Sequence, residues 1–279
     1  MIVAGIPQKQ LLLDQIAEVP HTAFGLHRLK LGYRGPLIRV RRASDNVERD
    51  IYYDVAGNLN TSDLLSFIGA SSGFVTTLYD LSGQGRDATQ TTSAQQWRLV
   101  NAGVLETLNT VNNRPAPATL GLLPPVYDGG AVIQTLSVVT TWRNQTTSGT
   151  GSLFGTSTTG GPQVQIGNNG IQVSFNRSGQ AVLASATINV TARTTGAVTT
   201  ATCTATGATL FNNNAQVANT ANAPNFTFAI SRIGGTANVA EQLQGWMAEQ
   251  IVFRNTISAS TRIILERDAA QYYGITLAA

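Results

Sequence analysis

The chain has 279 residues, of which 12% are charged, with a net charge of +3 and one cysteine. Cys203, being alone, excludes an internal disulfide framework and a thiolate zinc cluster, and so small a positive excess is no argument for nucleic acid. The length suits one large domain plus a short arm, and the abundance of Thr, Asn, Gln, Ala and Gly points to a β-rich, turn-rich protein.

The opening stretch MIVAGIPQKQLLLDQIAEVP has no basic region ahead of its apolar residues and no long apolar run. It predicts neither a signal peptide nor a membrane span. Leu12, Leu13 and Ile16 stand at roughly helical spacing and predict one short helix that docks elsewhere. Residues 1–20 therefore read as a docking arm and 21–279 as the folded domain. In GPLIRVRRASDNVERDIYYD, Ile38 and Val40 alternate with Arg39 and Arg41, a polar turn follows at 43–46, and a second strand runs through Ile51 and Tyr53. That pattern predicts a hairpin. NTSDLLSFIG has cap-type residues ahead of Leu64, Leu65, Phe67 and Ile68, with Gly69 to end the helix. GFVTTLYD is the next strand, and it delivers the loop LYDLSGQGRDATQ.

From Ala131 onward β-branched runs alternate with Gly and Asn: AVIQTLSVVTTW, GSLFGT, PQVQIGNNGIQVSF, AVLASATINVTA, AVTTATCTA, NFTFAISRI and QGWMAEQIVF. IGNNGIQ is a tight-hairpin signal, because Asn-Asn-Gly supplies the positive φ such turns need. Many short strands with little helical periodicity predict two packed antiparallel sheets, an all-β sandwich. The closing ISASTRIILERDAAQYYGI breaks the pattern. A Ser cap followed by Ile263, Ile264, Ala270 and Tyr273 on one stripe predicts a helix over the sandwich edge.

Asp80 and Asp87 flank Ser82, Gly83 and Gly85. Asp side chains commonly cap their own turn, although an oxygen-rich loop can also hold calcium or touch a ligand directly. Arg39, Arg41 and Arg42 can bind an anionic glycan or phosphate, or pair internally with Asp45, Glu48, Asp50 and Asp54. His21 and His27 lack a third nitrogen or sulfur ligand nearby and read as core or surface residues. Of Trp97, Trp142 and Trp246, sugar-stacking and core roles both fit. Trp142, beside Arg143 at a strand end ahead of the polar RNQTTSGTG loop, is the one expected to be exposed.

TAFGLHRLKLGYRGPLIRVRRASD followed by LYDLSGQGRDATQ resembles the start of the α-L-arabinofuranosidase B catalytic domain, and GWMAEQIVFRNTISASTRIILERDAAQYYGI resembles the last strand and closing helix of concanavalin A-like, laminin-G-like jelly rolls. The resemblance implies a two-sheet antiparallel jelly-roll sandwich with a short N-terminal arm and a C-terminal edge helix. It also implies a glycosidase, which needs two acidic side chains flanking the scissile bond. The family's nucleophile segment aligns with FGTSTT, placing Thr158 where a Glu belongs, and its Gly-Gly-Asp acid aligns with Gly234, Gly235 and Thr236. No Asp or Glu occurs between Asp128 and Glu241. A threonine hydroxyl cannot serve as a general acid near neutral pH, so hydrolysis is expected to be lost.

Similar domains resemble modules of bacteriophage tail and other virion proteins. The expected function is thus a non-catalytic virion component of tail or tail-fibre type, assembled in the host cytoplasm as a homo-oligomer. Its jelly roll would bind host cell-surface polysaccharide, and residues 1–20 would contact other virion proteins. No cofactor, nucleic acid or membrane insertion is expected, and calcium at Asp80 and Asp87 is the one metal alternative. A free carbohydrate-binding module, or a glycosidase using other acids such as Asp80 with Glu249, are the competing readings.

Overall fold

The computed structural model describes residues 10–130, 135–145, 151–156, 162–166, 172–177, 184–187, 195–204, 206–221, 230–237 and 239–279. Seventeen strands appear among them. The N-terminal part contributes β1 (Thr22–Gly25), β2 (Ile38–Arg42), β3 (Glu48–Ile51), α1 (Thr61–Ile68), β4 (Gly73–Leu78), β5 (Ala88–Thr89), β6 (Trp97–Asn101) and β7 (Val104–Leu105). Then come β8 (Leu136–Asn144), β9 (Gly151–Thr156), β10 (Pro162–Ile166), β11 (Gln172–Arg177), β12 (Ala184–Thr187) and β13 (Ala197–Cys203). The chain closes with β14 (Ala208–Asn212), β15 (Ala215–Thr220), β16 (Ile230–Ile233), β17 (Gly245–Phe253) and α2 (Ala259–Tyr273).

The two main sheets run β1-β17-β8-β13-β14-β15 and β12-β11-β10-β9-β16, with every pairing between these strands antiparallel. The expected jelly-roll-like sandwich is present. A third sheet, β3-β2-β4-β6-β7 with β5 on β4, stands beside them. It is tied on by bridges between Ala118 and Trp246 and between Val126 and Arg232. One continuous core spans all three sheets, with Phe24, Trp97, Trp142, Phe154, Phe253 and Tyr273 as its largest fully buried side chains.

The β2–β3 hairpin forms as its alternation predicts. Ile38 pairs Ile51 on the buried face, Arg39 faces Asp50 on the outer one, and Asn46 takes the turn at φ 59°. The α1 helix begins at Asn60, whose side chain accepts from Asp63 N, and stops at Gly69. No described helix is long and apolar enough to cross a membrane.

Residues 10–20 pack on this chain's own fold. Leu12 and Leu13 are buried around a 3-10 turn at Leu12–Asp14, Leu13 N donates to Leu29 O at 2.9 Å, and Asp14 Oδ2 accepts from Leu31 N at 2.8 Å. The buried face of α2 also differs from the expected stripe. It consists of Thr261, Arg262, Leu265, Glu266, Ala269, Ala270 and Tyr273, while Ile263 and Ile264 are only partly buried. The helix lies against the central strands β13 and β8, where Thr200 Oγ1 donates to Glu266 Oε1 at 2.6 Å. Arg262 completes this buried polar contact by donating to Glu266 Oε2 at 2.9 Å, and a pair bonded on both sides can take a place that apolar residues usually hold.

Candidate functional site

The loop after β4 is built as a turn. Asp80 is 2% exposed. Its Oδ1 accepts from Ala23 N and Ser82 N, each at 3.0 Å, and its Oδ2 accepts from Arg86 N at 3.1 Å. Asp87 Oδ1 accepts from Asp80 N at 2.9 Å, and Gly83 and Gly85 take φ of +84° and +72°, the left-handed region that glycine tolerates best. Asp80 therefore fastens the loop to β1. Among the described residues no group of three His, Cys, Asp or Glu side chains is placed to hold a metal ion.

The β2 arginines are engaged within their own hairpin and its neighbours. Arg39 donates from Nε and Nη2 to the two oxygens of Asp50 at 2.7 and 3.0 Å, and Tyr79 OH donates to the same carboxylate. Arg42 pairs with Asp45 at 2.6 Å. Arg41 has amide partners instead, donating to Gln96 Oε1 at 2.7 Å and Asn46 Oδ1 at 2.8 Å.

Trp142 is not exposed but fully buried. Its strand, β8, continues to Asn144 and is flanked by β17 and β13, so what reads as a strand end is interior. Trp142 Nε1 donates to Thr199 Oγ1 at 2.9 Å, and that hydroxyl donates to Asn212 Oδ1 at 3.0 Å. Arg143, the next residue, lies on the other face with its guanidinium 3.6 Å from the Trp246 ring centroid. Trp246 is the partly exposed tryptophan, and its Nε1 donates to Glu106 Oε2 at 3.2 Å.

Thr158 lies outside the described residues. Thr236 follows β16 and is 4% exposed. The turn at Gly234, with φ +69°, carries Thr236 back over β9, so that a Cβ on Gly155 would stand 2.6 Å from its Cγ2. Gly155 is three positions ahead of Thr158, which brings the β9 exit and the Gly-Gly-Thr turn into one place. Thr236 Oγ1 donates to Glu241 Oε2 at 3.2 Å, and its main-chain oxygen accepts from Gln242 Nε2 at 3.0 Å. Glu241 reaches this position from a separate 3-10 turn, Val239–Glu241, which no spacing pattern marks.

Asp80 and Glu249 do not form an acid pair at a cleft. Asp80 is held by three backbone N–H groups, and Glu249, 2% exposed, is bound at 2.7 Å by His27 Nε2. His27 in turn stacks on Tyr272 at 3.9 Å with planes 17° apart. Outside these two residues opens a cleft of about 650 Å³, walled by the N-terminal segment, the loops around Arg28, Asn58 and Arg114, and one side of α2 with Arg267, Asp268 and Tyr272. Its residues come from separated segments, so no local motif marks it.

Residues 20–121 match the family model described as alpha-L-arabinofuranosidase B, catalytic. No curated protein matches the chain by sequence. Among solved structures, the chain is similar to a GH54 α-L-arabinofuranosidase soaked with a cyclic sulfate inhibitor, with TM-score 0.68 and 15% identity over 91% of this chain and 63% of that one. It is also similar to an arabinofuranosidase complexed with arabinofuranosyl-α-1,2-xylobiose, with TM-score 0.66 and 14% identity over 94% of this chain and 64% of that one. At these identities the likeness is one of fold, and the chain spans less than two thirds of either structure.

Proposed function

We propose that this chain is a carbohydrate-binding domain that keeps the arabinofuranosidase B fold without its hydrolysis. The family match over 20–121 and the shared sandwich support the carbohydrate class. The observation that carries the loss of hydrolysis is Thr236. It stands at the Gly-Gly turn beside β9, aligned with the family's acid, and offers a hydroxyl that is already hydrogen-bonded where a proton donor is needed. Thr158 aligns with the nucleophile, and the sequence between Asp128 and Glu241 holds no carboxylate to replace either. A glycosidase of this kind needs a pair.

One contact favours a second reading. Glu241 Oε2 lies 3.2 Å from Thr236 Oγ1, so a carboxylate does reach the acid's position from another element. A relocated acid at Glu241 would restore half of the pair.

Calorimetry with arabinan and arabinoxylan, run beside an assay on 4-nitrophenyl α-L-arabinofuranoside, separates the two. The expected result is polysaccharide binding with no turnover above background. Turnover that survives repurification and disappears in Glu241→Gln establishes the second reading, and absence of both binding and turnover overturns both.

The virion setting belongs to the same proposal. Low charge and an abundance of uncharged polar residues support it, while the relatives named above are glycosidases and none of them is a virion protein. Residues 10–20 are committed to this chain's own fold, which makes the domain surface the place for assembly contacts. Gel filtration of the purified chain tests the oligomer.

A further inference from the structure

We propose that the cleft between the N-terminal segment and α2 is a second binding site, one for an anionic sugar, with Arg28, Arg114 and Arg267 as its anion-holding groups. The sugar part rests on the carbohydrate reading above. The anion part rests on the cleft alone.

Arg41 and Arg143 have neutral partners, but five arginines elsewhere in this protein are matched to acids: Arg39 to Asp50, Arg42 to Asp45, Arg49 to Asp63, Arg98 to Glu106 and Arg262 to Glu266. The three in the cleft are not. Among the described residues none of them has a carboxylate within 4.0 Å. Arg28 is fixed by donating to the carbonyls of Tyr33, at 3.1 Å, and Leu31. Arg114 donates from Nε to Tyr272 O at 3.3 Å and from Nη1 to Asn58 Oδ1 at 3.2 Å, and its guanidinium lies 4.2 Å from the Tyr272 ring centroid. Arg267 projects from α2 and is exposed. Against these three cations the lining supplies one carboxylate, Asp268, while Glu249 behind the wall is held by His27. Guanidinium groups held in place by neutral partners are suited to forked hydrogen bonds with a carboxylate or phosphate.

The aromatic ring in the cleft cannot serve as the usual sugar platform. Tyr272 is covered by His27 at 3.9 Å and by Arg114 at 4.2 Å. With its ring taken, recognition falls to charge and to the amides of Asn58 and Gln271. A volume of about 650 Å³ is within the range that holds small ligands.

The test is calorimetric titration of the whole chain with galacturonic acid, galactose 6-phosphate, galactose and inorganic phosphate. The two anionic sugars separate carboxylate from phosphate as the source of the charge. We expect at least one of them to bind while galactose does not, with affinity falling as salt is raised. Arg267→Ala should weaken that binding about tenfold and leave the melting temperature unchanged, because Arg267 supports no described contact. Arg267→Glu should abolish it. Failure of both anionic sugars to bind, or binding unchanged in both variants, overturns the site. Inorganic phosphate binding as well as either sugar overturns the sugar part. Arabinan binding is read in the same Arg267 variants and should be unaffected, so the fate of this site and that of the main carbohydrate reading are distinguishable.

Discussion

Glu18 and Thr261 stand 243 positions apart in the chain and 2.6 Å apart in the fold, with the Thr261 hydroxyl donating to Glu18 Oε2. Oε1 of the same carboxylate accepts from Ser258 N at 2.8 Å, so a residue ahead of the first strand caps the last helix. Burial would raise the pKa of Glu18, but the hydrogen bonds from Thr261 and Ser258 outweigh it and hold the pKa at about 2.

A carboxyl whose pKa is lowered on folding contributes stability that is complete above its ordinary value of 4.5 and is lost as pH falls toward 2. Glu18→Gln should therefore lower stability at pH 7 by about 1 kcal/mol, the usual worth of a helix cap. Melting curves of the two proteins from pH 7 to pH 2 should converge at the acid end. A gap that stays constant over that range would show that the charge plays no part.

Asp80→Ala should destabilise the protein by more than about 3 kcal/mol, because it strands the N–H groups of Ala23, Ser82 and Arg86, each at about 1–3 kcal/mol where buried. Chelator should leave the wild-type melting temperature in place. A fall of many degrees with chelator, reversed by calcium, would convert the turn into a metal loop.

Trp142→Phe should cost less than Trp142→Ala. Both lose the bond to Thr199, but only alanine opens a large cavity, worth about 3–5 kcal/mol. Polysaccharide binding should survive Trp142→Phe, since the indole faces no solvent. Loss of binding at unchanged stability would restore the residue as a sugar contact.

Glu266→Ala should cost about 3–5 kcal/mol, measured by urea unfolding, because it leaves the buried Arg262 cation without its counter-charge. The double change Arg262→Met with Glu266→Leu should be milder than the single one. If the single variant proves the milder, the pair is not coupled.

Local chemistry made several elements legible: alternation in β2, the Asn60 cap and Gly69 stop of α1, and the Ser258 cap of α2. What stayed hidden depends on partners distant in sequence. The apolar stripe of α2 pointed to Ile263 and Ile264, whereas the face that is buried carries Arg262 and Glu266, admissible there because Thr200 and each other satisfy them. Trp142 lies inside because its strand is flanked on both sides, and no local pattern distinguishes such a strand from one that ends at the surface. The β14–β15 hairpin is hard to read from sequence although Asn213 and Asn214 take its turn at φ 49° and 71°. Its second strand, with Gln216 and Asn219, lacks the apolar alternation that marks a strand. The Thr236 position could be aligned by its glycines, but Glu241 beside it and the three arginines of the cleft meet only through tertiary contacts.

The pairing of β1 with β17 sets the order of events during synthesis. Every residue of β1 is buried, and the strand it needs lies near the far end of the chain. At about 5–20 residues per second, a ribosome takes roughly 10–50 s to cover the 240 positions between Glu18 and Ser258. Throughout that interval the edge of β1 that β17 covers has no strand to pair with, although Ala23 can already bond Asp80 and Leu81 on its other side. Contacts this far apart make folding slow, and the waiting edge is where two nascent chains, each supplying β17 to the other, would exchange strands.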